Sequence, residues 1–208
     1  GTLTIESGTF AITAASDGIQ AATDLQILGG DFTITTGGGS ANSSTTSEAW
    51  GTWAAPAAET TTTTTEETTS AKGLKATGSL AISGGTFVLD TSDDAIHTND
   101  TVQITGGDFT IASGDDGIHA DNTLTIDDGT ININQSYEGI EATEITLNGG
   151  DIALTTSDDG INAAGGNDAS AVSGFRARHT LLIDSSRRFL SIRRGSGDNS
   201  VSCPTVHQ

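Results

Sequence analysis

Apolar and polar residues alternate along the first 171 positions in short runs, each closed by glycine, small or acidic residues. An alternation of period two puts one apolar and one polar face on each run, which predicts short β-strands. The runs themselves repeat. One unit is an apolar pair, a glycine, a second apolar pair, a small or acidic turn and a third pair. Leu80/Ile82, Gly85, Phe87/Leu89, Asp93-Asp94 and Ile96/Thr98 make one copy. The next are Val102/Ile104, Gly107, Phe109/Ile111, Asp115-Asp116, Ile118/Ala120, then Leu124/Ile126, Gly129, Ile131/Ile133, Glu138, Ile140/Ala142. Further copies start at Ile145, Leu3 and Leu25. Ile96 to Ile118 and Ile118 to Ile140 are steps of 22 residues, and Ile140 to Ile161 is 21.

A unit this short cannot bury a core alone, so successive units must stack on one another. The expected fold is all-β: a parallel β-helix, or solenoid, of about 22 residues and three short strands per coil, with rungs about 4.8 Å apart. Phe10, Phe32, Phe87 and Phe109 share one position of the repeat and should form an internal aromatic column. One interruption stands out. Ile19 and its equivalent Leu74 are 55 residues apart, and the surplus of 33 lies between Gly37 and Ser70. This segment, with six consecutive threonines from Thr60 to Thr65, is too polar to order itself fully and reads as an inserted loop over 38–70.

Composition adds a charge break. The chain has 208 residues with 27 acidic and 8 basic, a net charge of -19. Six arginines lie beyond Val172 with only Asp184 and Asp198, so residues 172–208 carry +4 and the body −23, from 2 basic and 25 acidic residues. The sequence therefore divides into a β-helix domain over 1–171 and a basic tail over 172–208. The tail drops the repeat and reads as a segment without a selected fold, even an out-of-frame translation. A basic arm docked on the acidic body and a nucleic-acid patch are the alternatives. The acidic body disfavours nucleic acid and anionic lipid as partners. Apolar runs are too short for a membrane span, and the N-terminus lacks a signal-peptide pattern. With no methionine, the chain reads as processed or as a fragment, and the single Cys203 can form no internal disulfide.

The chemistry concentrates at one corner. Stacking brings Asp17, Lys72, Asp94, Asp116, Glu138 and Asp159 into one column, with Asp93, Asp115 and Asp158 beside it. Carboxylates about 4.8 Å apart repel by roughly 3.5 kcal/mol at an effective dielectric of 20, so a cation belongs there. Calcium accepts six to eight oxygens in flexible geometry and suits such a ladder better than magnesium. The expected metal ligands are Asp93, Asp94, Asp115, Asp116, Glu138, Asp158 and Asp159. Solvated Asp-Gly turn residues are the plainer reading. His97 and His119, continued by Glu141 and Asn162, are expected on an outward strand position, touching a ligand or binding a softer metal with the acids. Lys72 and Lys75 are the body's only cations: counter-ions to the ladder, or catalytic bases. Trp50 and Trp53 in the inserted loop suit stacking on a pyranose ring, or anchor the loop.

Five ordered motifs carry a resemblance: Ser70-Ala71-Lys72-Gly73-Leu74-Lys75-Ala76, Ser92-Asp93-Asp94-Ala95-Ile96-His97, Ser113-Gly114-Asp115-Asp116-Gly117-Ile118-His119, Ser136-Tyr137-Glu138-Gly139-Ile140-Glu141 and Ser157-Asp158-Asp159-Gly160-Ile161-Asn162. Together they resemble a bacterial carbohydrate-binding domain family whose members are secreted or surface proteins. The resemblance covers nearly all of 1–171. It implies a right-handed parallel β-helix similar to pectate lyases, several calcium ions, an extracellular or cell-surface setting, and binding of cellulose-like or polygalacturonate chains. The tail lacks the further Gly-Asp-Gly-Ile-Asp type coil that members carry. Non-catalytic polysaccharide binding is the leading expectation, with Trp50, Trp53, His97 and His119 as candidate carbohydrate contacts. A polysaccharide lyase using Lys72 or Lys75 is the alternative, weakened because a base among carboxylates has its pKa raised. A structural adhesin stalk is the third. Ice binding would need a regular outward threonine ladder, which Ala11, Thr33, Val88, Thr110, Asn132 and Ala153 do not form.

Overall fold

The computed structural model describes residues 1–43, 70–163, 180–183 and 190–194, the last two as backbone. It is an all-β parallel solenoid of about six turns and about 22 residues per turn. Coil one contains β1 (Leu3–Ile5), β2 (Thr9–Ala14) and β3 (Ile19–Ala21); coil two contains β4 (Leu25–Ile27), β5 (Asp31–Thr36) and β6 (Leu74–Ala76). Coil three is β7 (Leu80–Ile82), β8 (Thr86–Thr91) and β9 (Ile96–Thr98). Coil four is β10 (Thr101–Ile104), β11 (Asp108–Ser113) and the start of β12 (Ile118–Ile126). The end of β12 opens coil five, with β13 (Thr130–Gln135) and the start of β14 (Ile140–Leu147). Coil six completes β14 and adds β15 (Asp151–Thr156) and β16 (Ile161–Asn162). The third strand of one coil runs on into the first strand of the next in β12 and β14, so first and third strands merge into one 11-stranded sheet. The second strands form a separate 7-stranded sheet.

Register follows the repeat. Ile19 pairs with Leu74 across the inserted segment, Leu74 with Ile96, Ile96 with Ile118 and Ile118 with Ile140. From coil two to β15 the inward positions are mostly buried Ile, Leu, Val, Phe, Ala, Thr or Ser, with Ile161 and Ala163 half-buried at the end of coil six, giving one continuous core between the sheets. Phe10, Phe32, Phe87 and Phe109 stack with centroids 4.8, 4.8 and 4.6 Å apart and planes within 6° of parallel. Such a pair contributes about 0.5–1.5 kcal/mol beyond its buried area. The stack requires close backbone approach at the preceding corner. Gly85 has φ 117°, and a Cβ there would lie 2.8 Å from the Gly30 carbonyl oxygen one coil before. No L side chain fits that position without strain.

The inserted loop begins with a 3-10 turn at Ser40–Asn42; its residues 44–69, including Trp50 and Trp53, lie outside the described residues. In the basic tail, β17 (Thr180–Ile183) pairs with β14 and β18 (Leu190–Arg194) with β15, both parallel. Leu181 and Ile183 take the register of Ile145 and Leu147, and Leu190 and Ile192 that of Ile152 and Leu154. These two short alternations extend both sheets by a rung. The abrupt change of charge and the missing Gly and Asp corners hide them in the sequence. No helix among the described residues is long and apolar enough to cross a membrane.

Replacing Phe87 with Ala should destabilise the fold by about 3–5 kcal/mol, because it opens a cavity between two stacked rings. Thr110→Ala on the exposed face of β11 should stay within about 0.5 kcal/mol. Urea unfolding followed by circular dichroism checks both.

Candidate functional site

The corner between second and third strands brings the acids together as the repeat requires. Backbone bonds tie each coil to the next there: Gly18 N donates to Lys72 O, Gly73 N to Asp94 O, Ala95 N to Asp116 O, Gly117 N to Glu138 O and Gly139 N to Asp159 O. The column of Asp17, Lys72, Asp94, Asp116, Glu138 and Asp159 is thus in register. It is also mostly inside. Asp94, Asp116 and Glu138 are buried, with Asp93 and Asp115 half-buried next to them.

Three of the corner carboxylates first serve the backbone of the following coil. Asp17 Oδ1 accepts from Lys72 N at 2.9 Å, Asp94 Oδ1 from Asp116 N at 3.1 Å and Asp116 Oδ1 from Glu138 N at 3.3 Å. Where Lys72 interrupts the acids, Asp94 N is left without that acceptor, and Asp93 Oδ1 takes it at 3.0 Å. A row of buried hydroxyls braces the same corner from inside. Thr91 donates to Asp93 O at 2.7 Å, Ser113 to Asp115 O at 3.1 Å, Thr156 to Asp158 O at 3.1 Å, and Thr36 to Ala71 O. The sequence reading missed this row. Its signal is a Ser or Thr two residues ahead of Asp93, Asp115 and Asp158, the pattern of a hydroxyl closing a tight turn.

Counter-charge falls off along the axis. At the first coils, Lys72 Nζ donates to Asp93 Oδ1 at 2.8 Å and Asp94 Oδ2 at 2.7 Å. It reaches forward only; Asp17 is held instead by Lys75 Nζ at 3.1 Å and by Ser70 Oγ at 2.6 Å. In the middle, His97 Nδ1 lies 2.8 Å from Asp94 Oδ2 and His119 Nδ1 2.9 Å from Asp116 Oδ2 and 3.3 Å from Glu141 Oε2. Both histidine side chains are only 12% exposed and turn toward the acids rather than outward, with ring centroids 4.9 Å apart. His119 Nε2 is 3.3 Å from Asp121 Oδ1 but does not point at it, so that contact is an ion pair without a hydrogen bond. In the last coils, Glu138 has Asn162 Nδ2 at 2.9 and 3.0 Å and, among the described residues, no cation.

The protonation behaviour follows this gradient. The hydrogen bond from His97 and the charge of Lys72 overcome burial and hold Asp94 well below the usual carboxylate range, and Lys72 is correspondingly pushed above the usual lysine range. Burial, then the charges of Asp94 and Asp93, raise Asp115 to about 6. Burial and its acidic neighbours likewise raise Asp116 to about 6. Burial raises Glu138 to about 7 with Glu141, Asp159 and Asp158 adding to it, and Glu141 also stands at about 7, through burial and the Asp116 charge. His119 rises to about 9 against its own burial, because Asp116, Asp94 and Glu141 surround it. The corner therefore has more negative charge than its own side chains neutralise.

Three ligand sets stand close enough to share an ion: Asp93, Asp94 and Asp115, all oxygen donors; Asp116, His119 and Glu141, with one nitrogen; and Asp94, His97 and His119, with two. In the first, Lys72 already occupies two of the three carboxylates. Among the described residues, the donors that best suit a hard divalent cation are Asp115, the member of that set Lys72 does not reach, and Glu138 in the later coils.

This corner belongs to a chain that one family model covers over residues 1–117 and 116–160, a model described as carbohydrate-binding domain-containing protein. The chain is a member of that family. No curated protein and no solved structure matches it. In this carbohydrate-binding domain the matched residues run from β1 through β15, so the acid ladder lies inside the family's own region.

In chelator-treated protein, Asp115, Asp116, Glu138 and Glu141 bind protons more tightly folded than unfolded, so stability should fall as pH rises from about 4 to about 7. His119 works in the same direction at higher pH: its stabilisation is complete below about 6.5, its unfolded value, and is lost as pH rises through about 9. Asp17 and Asp94, held low, lose their contribution below about pH 4. Thermal melts across pH should show an optimum near pH 4, roughly where the contribution of Asp17 and Asp94 is in place and the loss from the raised acids begins. His119→Gln should flatten the decline between pH 6.5 and 9, about the span of its shift.

Proposed function

We propose that this protein binds polysaccharide without cleaving it, at an extracellular or cell-surface location, with calcium rigidifying the acidic corner. The observation that supports it most is the family match along six coils of an extended parallel solenoid. Such a body offers a long surface on which a polymer gains affinity by contacting many rungs rather than one deep pocket. Cellulose-like chains and polygalacturonate are the two glycan classes to test. Calcium at Asp115 and at Glu138 adds positive charge to this corner, and with a polyuronate it also bridges to sugar carboxylates.

A lyase reading requires a base, and Lys72 is a poor one: it sits between Asp93 and Asp94 and is held protonated. Lys75, engaged with Asp17 and Ser70, is likewise spent on structure. The binding reading predicts retention on insoluble cellulose or on pectate gel, and no growth of unsaturated-uronide absorbance when polygalacturonate is incubated with protein and calcium. A rise in that absorbance abolished by Lys72→Ala or Lys75→Ala would establish the lyase instead. Failure to be retained by any glycan would leave only a stalk.

A further inference from the structure

The opposite corner, between first and second strands, carries a feature that neither stacking nor the acid ladder explains. Consecutive small residues at this turn, such as Gly84-Gly85 and Gly106-Gly107, leave a groove of about 670 Å³ running along the axis from coil one to coil six. Close coil-to-coil packing accounts for the glycines themselves, as at Gly85. It does not account for the next residue, which is exposed in every coil. That position reads Thr9, Asp31, Thr86, Asp108, Thr130, Asp151, and each is the direct strand partner of the next. Threonine and aspartate alternate without exception over the six coils. All six side chains are exposed on the groove wall, and none makes a side-chain hydrogen bond or ion pair among the described residues.

An aspartate on every second rung recurs about every 9.6 Å, twice the strand spacing. That length is close to the disaccharide repeat of an extended β-1,4-linked chain, in which alternate sugars face opposite ways. We propose that this groove is the glycan track of the protein, and that its ligand is a neutral linear polysaccharide with a two-sugar repeat. Resting on the binding function proposed above, this names the surface and the chemistry. Asp31, Asp108 and Asp151 accept paired hydroxyls from every second sugar, a charge-assisted bond stronger than one between neutral groups. Thr86 and Thr130 offer a donor and an acceptor to the sugars between. Asp128 also lines the groove, and no lysine or arginine does, so the wall repels a polyuronate and favours an uncharged chain. Single contacts are weak, but one polymer engages several rungs in line.

The test is affinity electrophoresis of the whole chain in gels containing hydroxyethyl cellulose, a neutral β-1,4 glucan, or polygalacturonate, with and without calcium. The wild type should be retarded by the neutral glucan. Asp108→Ala with Asp151→Ala should weaken that retardation tenfold or more, and Asp108→Asn, which keeps the shape, should weaken it less. Thr33→Ala with Thr110→Ala, on the exposed sheet face, should leave it unchanged, and circular dichroism should show all variants folded. Equal retardation of wild type and the double variant overturns the groove while the binding function stands. Retardation by polygalacturonate alone overturns the neutral ligand. Retardation by neither glycan overturns the binding function and the groove with it.

Discussion

Everything in this molecule depends on the parallel, in-register stacking of near-identical coils, which sets each residue directly on its equivalent one rung away. For apolar residues this is favourable at every step. The phenylalanines form a column with nearly parallel planes, and the Ile and Leu positions close a core that no single coil could make. Glycine is needed where coils approach most closely, since any side chain at Gly85 would meet the carbonyl of Gly30.

The same rule is costly for charge, because it also sets like on like. At the acidic corner the cost is reduced in two ways within the chain. Carboxylates accept the amide of the following coil, so Asp17, Asp94 and Asp116 act as part of the ladder of bonds joining the coils. Lysines, then histidines, provide positive charge in the early and middle coils. Around Glu138 and Glu141 neither device is enough, and burial together with the neighbouring acids raises their pKa values. On the function proposed above, a divalent ion would complete the charge balance there. The far corner avoids the difficulty by spacing its aspartates two rungs apart, which leaves them exposed and free for a ligand.

A solenoid is unusually readable because each residue's surroundings come from its own repeat. Period, strand placement, the phenylalanine column and the skip from Ile19 to Leu74 follow from spacing alone, and the structure has all of them. Side-chain direction at the corners does not follow from spacing. The column predicts that Lys72 lies between Asp17 and Asp94, yet its flexible stem carries the ammonium forward to Asp93 and Asp94, while Lys75 takes Asp17. His97 and His119 sit on positions that alternation marks as outward, but short links to Asp94 and Asp116 fold their rings against the corner. Strands at 180–183 and 190–194 escaped the sequence reading because two apolar pairs without their Gly and Asp corners are too short a signal. The Thr and Asp alternation of the groove is plain in the sequence once the repeats are aligned, but only the fold shows that those six side chains share one open wall.

Thermal unfolding with calcium and with an excess of chelator tests most directly whether the stacked acids depend on a bound cation. The account predicts a melting temperature clearly lower in chelator at neutral pH, restored by calcium, with the difference shrinking toward pH 5 as Glu138, Glu141 and their neighbours take up protons. An identical melting temperature in both conditions at neutral pH would contradict it.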